Sequence, residues 1–112
     1  MVSITFKRYG IYRADLNPTQ GSEISKVRPV VIVSRDVLNE ALETVVICPL
    51  TTKLHPRWRS RLQVKCQGKS AEIAIDQIRT ISKSRLKSKM GELASRDAQE
   101  VRRLICEMYG SP

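Results

Sequence analysis

A mainly β fold, a small curled sheet or open barrel with one helix packed on its outside, is what this chain of 112 residues predicts. Three observations point there. The apolar residues are chiefly Val, Ile and Leu, with one Trp, three Tyr and one Phe, and β-branched residues favour strands where they cluster. They gather in short runs separated by turn-forming Gly, Pro, Asn and Ser. A sustained helical period occurs once, near the C-terminal end. Length allows one hydrophobic core, and no repeat or linker divides the chain, so residues 1–112 read as a single domain.

Residues Ile11 to Leu16 alternate and form the first expected strand, followed by a turn-rich loop from Asn17 to Ser22. Arg28 to Ser34 is a continuous β-branched run, the pattern of a strand buried on both faces. Pro29 cannot donate to a ladder and marks its beginning. Asp36 to Leu42 suits a short helix. Thr44 to Leu50 is a second buried strand running into Thr51 and Thr52, and Lys53 to Ser60 is a basic loop. Arg61 to Cys66 alternates, Gly68 turns the chain, and Ala71–Ile75 and Gln77–Ile81 are further strands. Val101, Leu104, Ile105 and Met108 make one apolar stripe of a helix. Ser95 can cap it, Asp97 suits its first turn and Gly110 can end it.

The formal charge is +9, and its placement matters more than its size. Between Lys53 and Lys89 stand eleven Lys or Arg residues against Glu72 and Asp76; the remainder of the chain balances to zero. Concentrated positive charge points to a polyanion such as RNA, against the plainer reading of a solvated face. No run approaches the ~18 apolar residues of a membrane span, and Met1 to Arg8 holds no signal-like apolar segment. Three widely spaced cysteines, Cys48, Cys66 and Cys106, argue against a disulfide framework and for buried thiols in a reducing cytoplasm.

His55 is the only histidine, which excludes two-histidine nuclease chemistry and leaves a Ser-His-Asp triad without a Gly-x-Ser-x-Gly elbow. There is no phosphate-binding glycine loop, no metal-ligand spacing and no cofactor motif. Three polar clusters border apolar strands: Gly21-Ser22-Glu23 with Arg28-Pro29, then Pro49-Leu50-Thr51-Thr52, then Asp76-Gln77-Ile78-Arg79-Thr80-Ile81. Such positions combine a rigid base with access to solvent. Their structural alternative is that Arg28 pairs with Asp76 or Glu23 and the threonines close turns.

In order, these clusters resemble the MazF/PemK family of endoribonuclease toxins. The likeness runs from about Arg8 to Tyr109. It rests on Ala14-Asp15-Leu16-Asn17-Pro18, Gly21-Ser22-Glu23, Val27 to Ser34, Cys48-Pro49-Leu50-Thr51-Thr52, Asp76 to Ile81 with Arg85-Leu86, and Gly91-Glu92-Leu93. Tyr9-Gly10 departs from the Gly-acidic pair that many members carry before the first strand. The resemblance implies an SH3-like barrel of the PemK/MazF/CcdB type with a C-terminal helix, acting as a homodimer. It further implies metal-free, sequence-selective cleavage of single-stranded RNA and inhibition by a cognate antitoxin, for which the basic surface suits an acidic segment. Arg28 and Thr51 fall on the family's catalytic positions, and Ser22, Glu23, Asp76 and Gln77 around its substrate groove. Gyrase poisons share the barrel but end in Trp-Gly-Ile, whereas this chain ends Tyr109-Gly110-Ser111-Pro112. A non-catalytic RNA-binding barrel is the other alternative.

In such cleavage the ribose 2′-OH attacks the adjacent phosphorus, giving a 2′,3′-cyclic phosphate and a free 5′-OH. Arg28 would stabilise the charge that builds on the phosphoryl oxygens, and Thr51 would donate a hydrogen bond or orient the 2′-OH. A guanidinium with a pKa above ~12 makes a poor base, so Glu23 is the expected proton acceptor. Lys53, Arg57, Arg59 and Arg61 would track phosphates. Trp58 would stack on an unpaired base or only anchor its loop, and Thr52 completes the substrate-binding candidates.

Overall fold

The computed structural model describes residues 5–110. Along the chain run β1 (Gly10–Asp15), β2 (Val27–Ile32), α1 (Asp36–Ala41), β3 (Thr44–Thr51), β4 (Arg61–Cys66), β5 (Lys69–Ala74), β6 (Arg79–Ser82), β7 (Leu86–Glu92) and α2 (Ser95–Tyr109). The strands form one curled sheet in the order β4-β5-β3-β2-β1-β7, with β6 also on β3. All the pairings are antiparallel.

β3 is the hub. One of its edges pairs with β2, Val30 facing Pro49 and Ile32 facing Ile47. Its other edge serves two strands in succession: β6 along Thr44–Ile47, then β5 at Leu50 and Thr51. One long strand carrying two neighbours end to end bends the sheet around itself.

The β-branched run of β2 is buried on both faces, as its composition predicts. Val31 and Val33 pack with Cys48, Leu50, Ile73, Val101 and Leu104 on the α2 side. Val30 and Ile32 pack with Tyr12, Leu16, Val45, Ile47 and Ile81 on the other. Side chains two residues apart share a face, so a single strand feeds two clusters.

α2 buries Ala98, Val101 and Leu104, and half-buries Ile105 and Met108. Its start corrects the expectation for Ser95. Ala94 holds the cap position, its carbonyl accepting from the N–H of Ala98, and no side chain caps the end; Ser95 is already helical. Leu93, tied to Tyr9 by a 2.8 Å backbone bond, sets that register. Gly110 caps the end, its N–H on the Cys106 carbonyl at 2.9 Å, and a Cβ there would sit 2.4 Å from that oxygen.

Other departures have local causes. Ile75–Gln77 is a 3-10 turn, pinned where the Ile75 N–H reaches the Ser60 carbonyl at 2.9 Å, so the strand expected at Gln77–Ile81 begins only at Arg79. β7 is an edge strand whose Lys and Ser residues lie in solvent, so its sequence carries no apolar alternation. Before β1, Tyr9 adopts a left-handed φ of 66° and Gly10 closes a turn onto Lys7; a Cβ on Gly10 would meet the Tyr12 ring at 2.7 Å. All three cysteines are free, but only Cys48 is buried; Cys66 is half-buried and Cys106 exposed. Among the described residues no helix is long and apolar enough to cross a membrane.

Candidate active site

Antiparallel pairing sets the start of β2 beside the end of β3. The register that joins Val30 to Pro49, continued by two residues, brings Arg28 across from Thr51. Both side chains line one groove with Pro29, Thr52, Lys69 and Met90. The structural alternative for Arg28 is not what is seen. Its Nε donates to the Ser25 carbonyl at 3.1 Å, and among the described residues it pairs with no carboxylate. A guanidinium anchored through Nε and unpaired at both Nη atoms is set to receive an outside anion. Thr51 Oγ1 accepts the Lys53 N–H at 3.1 Å, which fixes the oxygen and leaves its hydrogen to donate. Lys69 is a second cation of this groove; it sits at the polar start of β5, where nothing in the local pattern singled it out.

Thr51 also borders a second groove, with Ser22, Lys53, Trp58, Asp76 and Gln77. A third, sharing Ser22, Asp76 and Gln77 with it, adds Glu23 and Arg79. Arg57 borders none of the three. Among the described residues no carboxylate lines the groove of Arg28, and Glu23, whose Oε1 accepts the Gln20 N–H at 2.7 Å, faces the third groove instead. A proton-acceptor role for Glu23 finds no support in that geometry.

Several polar groups in or behind these grooves hold the protein together, and sequence alone does not distinguish them from substrate readers. Glu72, opposite Thr51 on β5, is fully buried. It accepts hydrogen bonds from the His55 N–H (2.5 Å), Arg61 Nη1 (2.7 Å) and Gln63 Nε2 (2.8 Å), with His55 Nδ1 at 3.4 Å. Burial alone would push its carboxyl up, but these donors outweigh it and hold it below the ordinary carboxylate range. Asp76 follows the same logic: partial burial raises it, and Arg61 (2.7 Å) and Ser60 (2.8 Å) outweigh that and hold it below its ordinary range. Arg61, 5% exposed between the two carboxylates, therefore holds structure rather than tracking phosphate. Arg59 pairs with Glu107 on α2.

Gln77 is likewise occupied at both ends. Its Oε1 accepts the Ile24 N–H at 2.6 Å and its Nε2 donates to the Ser22 carbonyl at 3.2 Å. Arg79 donates to the Leu16 carbonyl, and Arg85 to those of Asp15 and Asn17. Together they clamp the β1–β2 loop that presents Ser22 and Glu23. The hint in the sequence was negative: polar residues bordering buried strands must find partners, and an irregular loop offers free carbonyls.

The sequence pattern of the family described as "PemK-like, MazF-like toxin of type II toxin-antitoxin system" matches residues 7–109. This chain belongs to that family. It is 34% identical over 104 residues to Endoribonuclease MazF of Staphylococcus saprophyticus, a match that covers 88% of this chain and 87% of that protein. The fold of this PemK-like, MazF-like chain is similar to that of MazF from Deinococcus radiodurans, with a TM-score of 0.84, 19% identity and coverage of 97% of this chain and 100% of that one. A mycobacterial endoribonuclease solved in complex with its cognate antitoxin is similar at a TM-score of 0.79 and 22% identity, covering 95% and 96%. At those identities the two structures speak to the fold alone. It is the mostly β, curled sheet with one C-terminal helix that composition and periodicity predict.

Proposed function

We propose that this protein is the toxin of a toxin–antitoxin pair and acts, as one domain, as an endoribonuclease on single-stranded RNA. It selects sites by sequence and leaves 2′,3′-cyclic phosphate and 5′-OH ends without a metal or other cofactor. The observation that carries the reading is the meeting of Arg28 and Thr51 in one groove, the guanidinium free of any carboxylate among the described residues. A phosphodiester lying there brings its non-bridging oxygens to the Nη atoms of Arg28, where charge grows as the 2′-OH attacks. Thr51 donates to the same phosphoryl group or orients the 2′-OH, and Lys69 deepens the positive field. Arg28 stays protonated throughout and works as an electrostatic clamp.

Ser22, Glu23, Thr52, Lys53 and Trp58 line the path along which the strand continues, with Asp76 and Gln77 shaping its wall. Arg57, in the exposed basic loop, meets phosphates from outside the grooves. The relative named Endoribonuclease MazF supports the activity, and the similar structure with its antitoxin supports a protein inhibitor. On this reading the inhibitor offers an acidic segment to the basic groove, the toxin is a homodimer, and the setting is the cytoplasm. Incubating purified protein with long mixed-sequence RNA in EDTA tests it: discrete fragments with 5′-OH ends are expected. Intact RNA with a mobility shift would mean a binding module instead.

A further inference from the structure

Trp58 is the only tryptophan of the chain and is 50% exposed, although it sits in a loop otherwise rich in charge. One face of its indole is occupied. The His55 ring stacks on it at a centroid separation of 3.9 Å and an interplanar angle of 21°. The Arg61 guanidinium lies 4.8 Å from the indole centroid, and Arg61 Nη1 is 3.4 Å from His55 Nδ1. That second contact cannot be made from across the indole plane, so Arg61 sits on the His55 side or at the ring edge. Among the described residues, no aromatic or guanidinium group covers the opposite face.

The stack is held from below. Buried Glu72 ties down both the His55 backbone N–H and Arg61, fixing the two groups against which the indole rests. An exposed apolar ring is ordinarily free to turn; this one is pinned on one side by His55 and is half exposed. Trp58 borders the groove that begins at Thr51, together with His55 and Arg61.

We propose that the face of Trp58 turned away from His55 is a preassembled seat for an unpaired nucleobase of the bound RNA, next to the scissile position, and that Glu72 is its positioning residue. The inference rests on the RNA-cleaving reading above. It also says how the base is read. Asp76 and Gln77, the polar groups of this groove best suited to a base edge, are committed to Arg61 and Ser60 and to the β1–β2 loop. The base is therefore held by its face. Stacking tolerates every base and favours the larger π-surface, so this position prefers purines over pyrimidines rather than one base over three.

The sole tryptophan makes the seat visible by its own fluorescence. Three uncleavable probes of equal length and charge serve: 2′-O-methyl oligomers of adenine, of uracil, and an abasic phosphodiester chain. Saturable quenching of Trp58 is expected from the base-bearing strands, adenine binding tighter than uracil, and none from the abasic chain, which still binds by charge. Trp58→Leu should lose about tenfold to a hundredfold in affinity for the adenine strand and little for the abasic one, while Trp58→Phe keeps most of the difference. Equal affinity of Trp58→Leu and wild type for the adenine strand, or unchanged emission at saturation, overturns the seat. Cleavage of RNA in EDTA would then still stand, so the two readings fail separately. Absence of both binding and cleavage ends both.

Discussion

On the proposed function, two side chains at adjacent strand ends carry the chemistry, and each is prepared by a neighbour. Ser25 anchors Arg28 through its Nε, and the Lys53 N–H orients Thr51 Oγ1. Removing a single preorganised donor to a developing oxyanion costs about 10²–10³ in rate. Thr51→Ala should show that loss with RNA affinity changed little, and Thr51→Ser should recover most of it; cleavage rates under single turnover decide. Glu23→Gln should cost less than tenfold, because Glu23 faces another groove, and a loss as deep as that of Thr51→Ala would restore it as a base. Elsewhere, burial, with a smaller push from Asp76, raises the Cys48 thiol to about 12. In native protein at pH 8, iodoacetamide should label exposed Cys106 and spare Cys48, as peptide mapping would show. At this scale the sequence was legible for Arg28 and Thr51, whose strand-end positions follow from the β-branched runs before and after them. It was silent on Lys69, which differs locally from no other surface lysine.

Elements decide which polar residues are left to the grooves and which face the protein. Glu72 interrupts the apolar run Ala71-Glu72-Ile73-Ala74. A carboxylate there must be paired, so its burial was foreseeable, but partners in a loop seventeen residues earlier were not. The same holds for Gln77, which a 3-10 turn redirects from the expected strand towards the β1–β2 loop. β7 stayed hidden because an edge strand needs no alternation. Glu72→Gln should lower stability by about 1–3 kcal/mol at neutral pH, since Arg61 loses one of its two carboxylates and keeps Asp76. The carboxyl of Glu72 is held below its ordinary value of 4.5 in the folded state. Its contribution is thus fully present above about that pH and fades as pH falls through the lower folded value. Urea melts from pH 7 to pH 2 should show the variant losing less stability on acidification than the wild type. Parallel pH profiles would contradict the network drawn here.

At the scale of the whole molecule, the charge excess between Lys53 and Lys89 is real but not all of it is available. Arg61 faces Glu72 and Asp76, Arg59 faces Glu107, and Arg79 and Arg85 hold carbonyls of the β1–β2 loop. Summed charge along a sequence overstates the number of phosphates a folded surface can meet. Lys53, Arg57 and Lys69 have no ion-pair partner among the described residues. Affinity for an uncleavable single strand should therefore fall with salt with a log–log slope near −0.7 per phosphate engaged. Lys69→Ala should shallow that slope by about one such step, and a slope unmoved by the substitution would remove Lys69 from the groove. Fold class was the most legible property, because short β-branched runs and one 3.6-residue stripe leave few alternatives. Which residues meet in the grooves depended on pairings far apart in the chain.

We propose above all that the Arg28 guanidinium, unpaired with any carboxylate among the described residues, stabilises the phosphoryl charge while the strand is cut. The most direct measurement sets Arg28→Ala beside the wild type, on one RNA in EDTA, with cleavage and binding read from the same samples. The wild type should yield fragments with 5′-OH ends. The variant should bind that RNA within a few fold and leave it whole. Fragments of the same pattern and rate from Arg28→Ala would contradict the account.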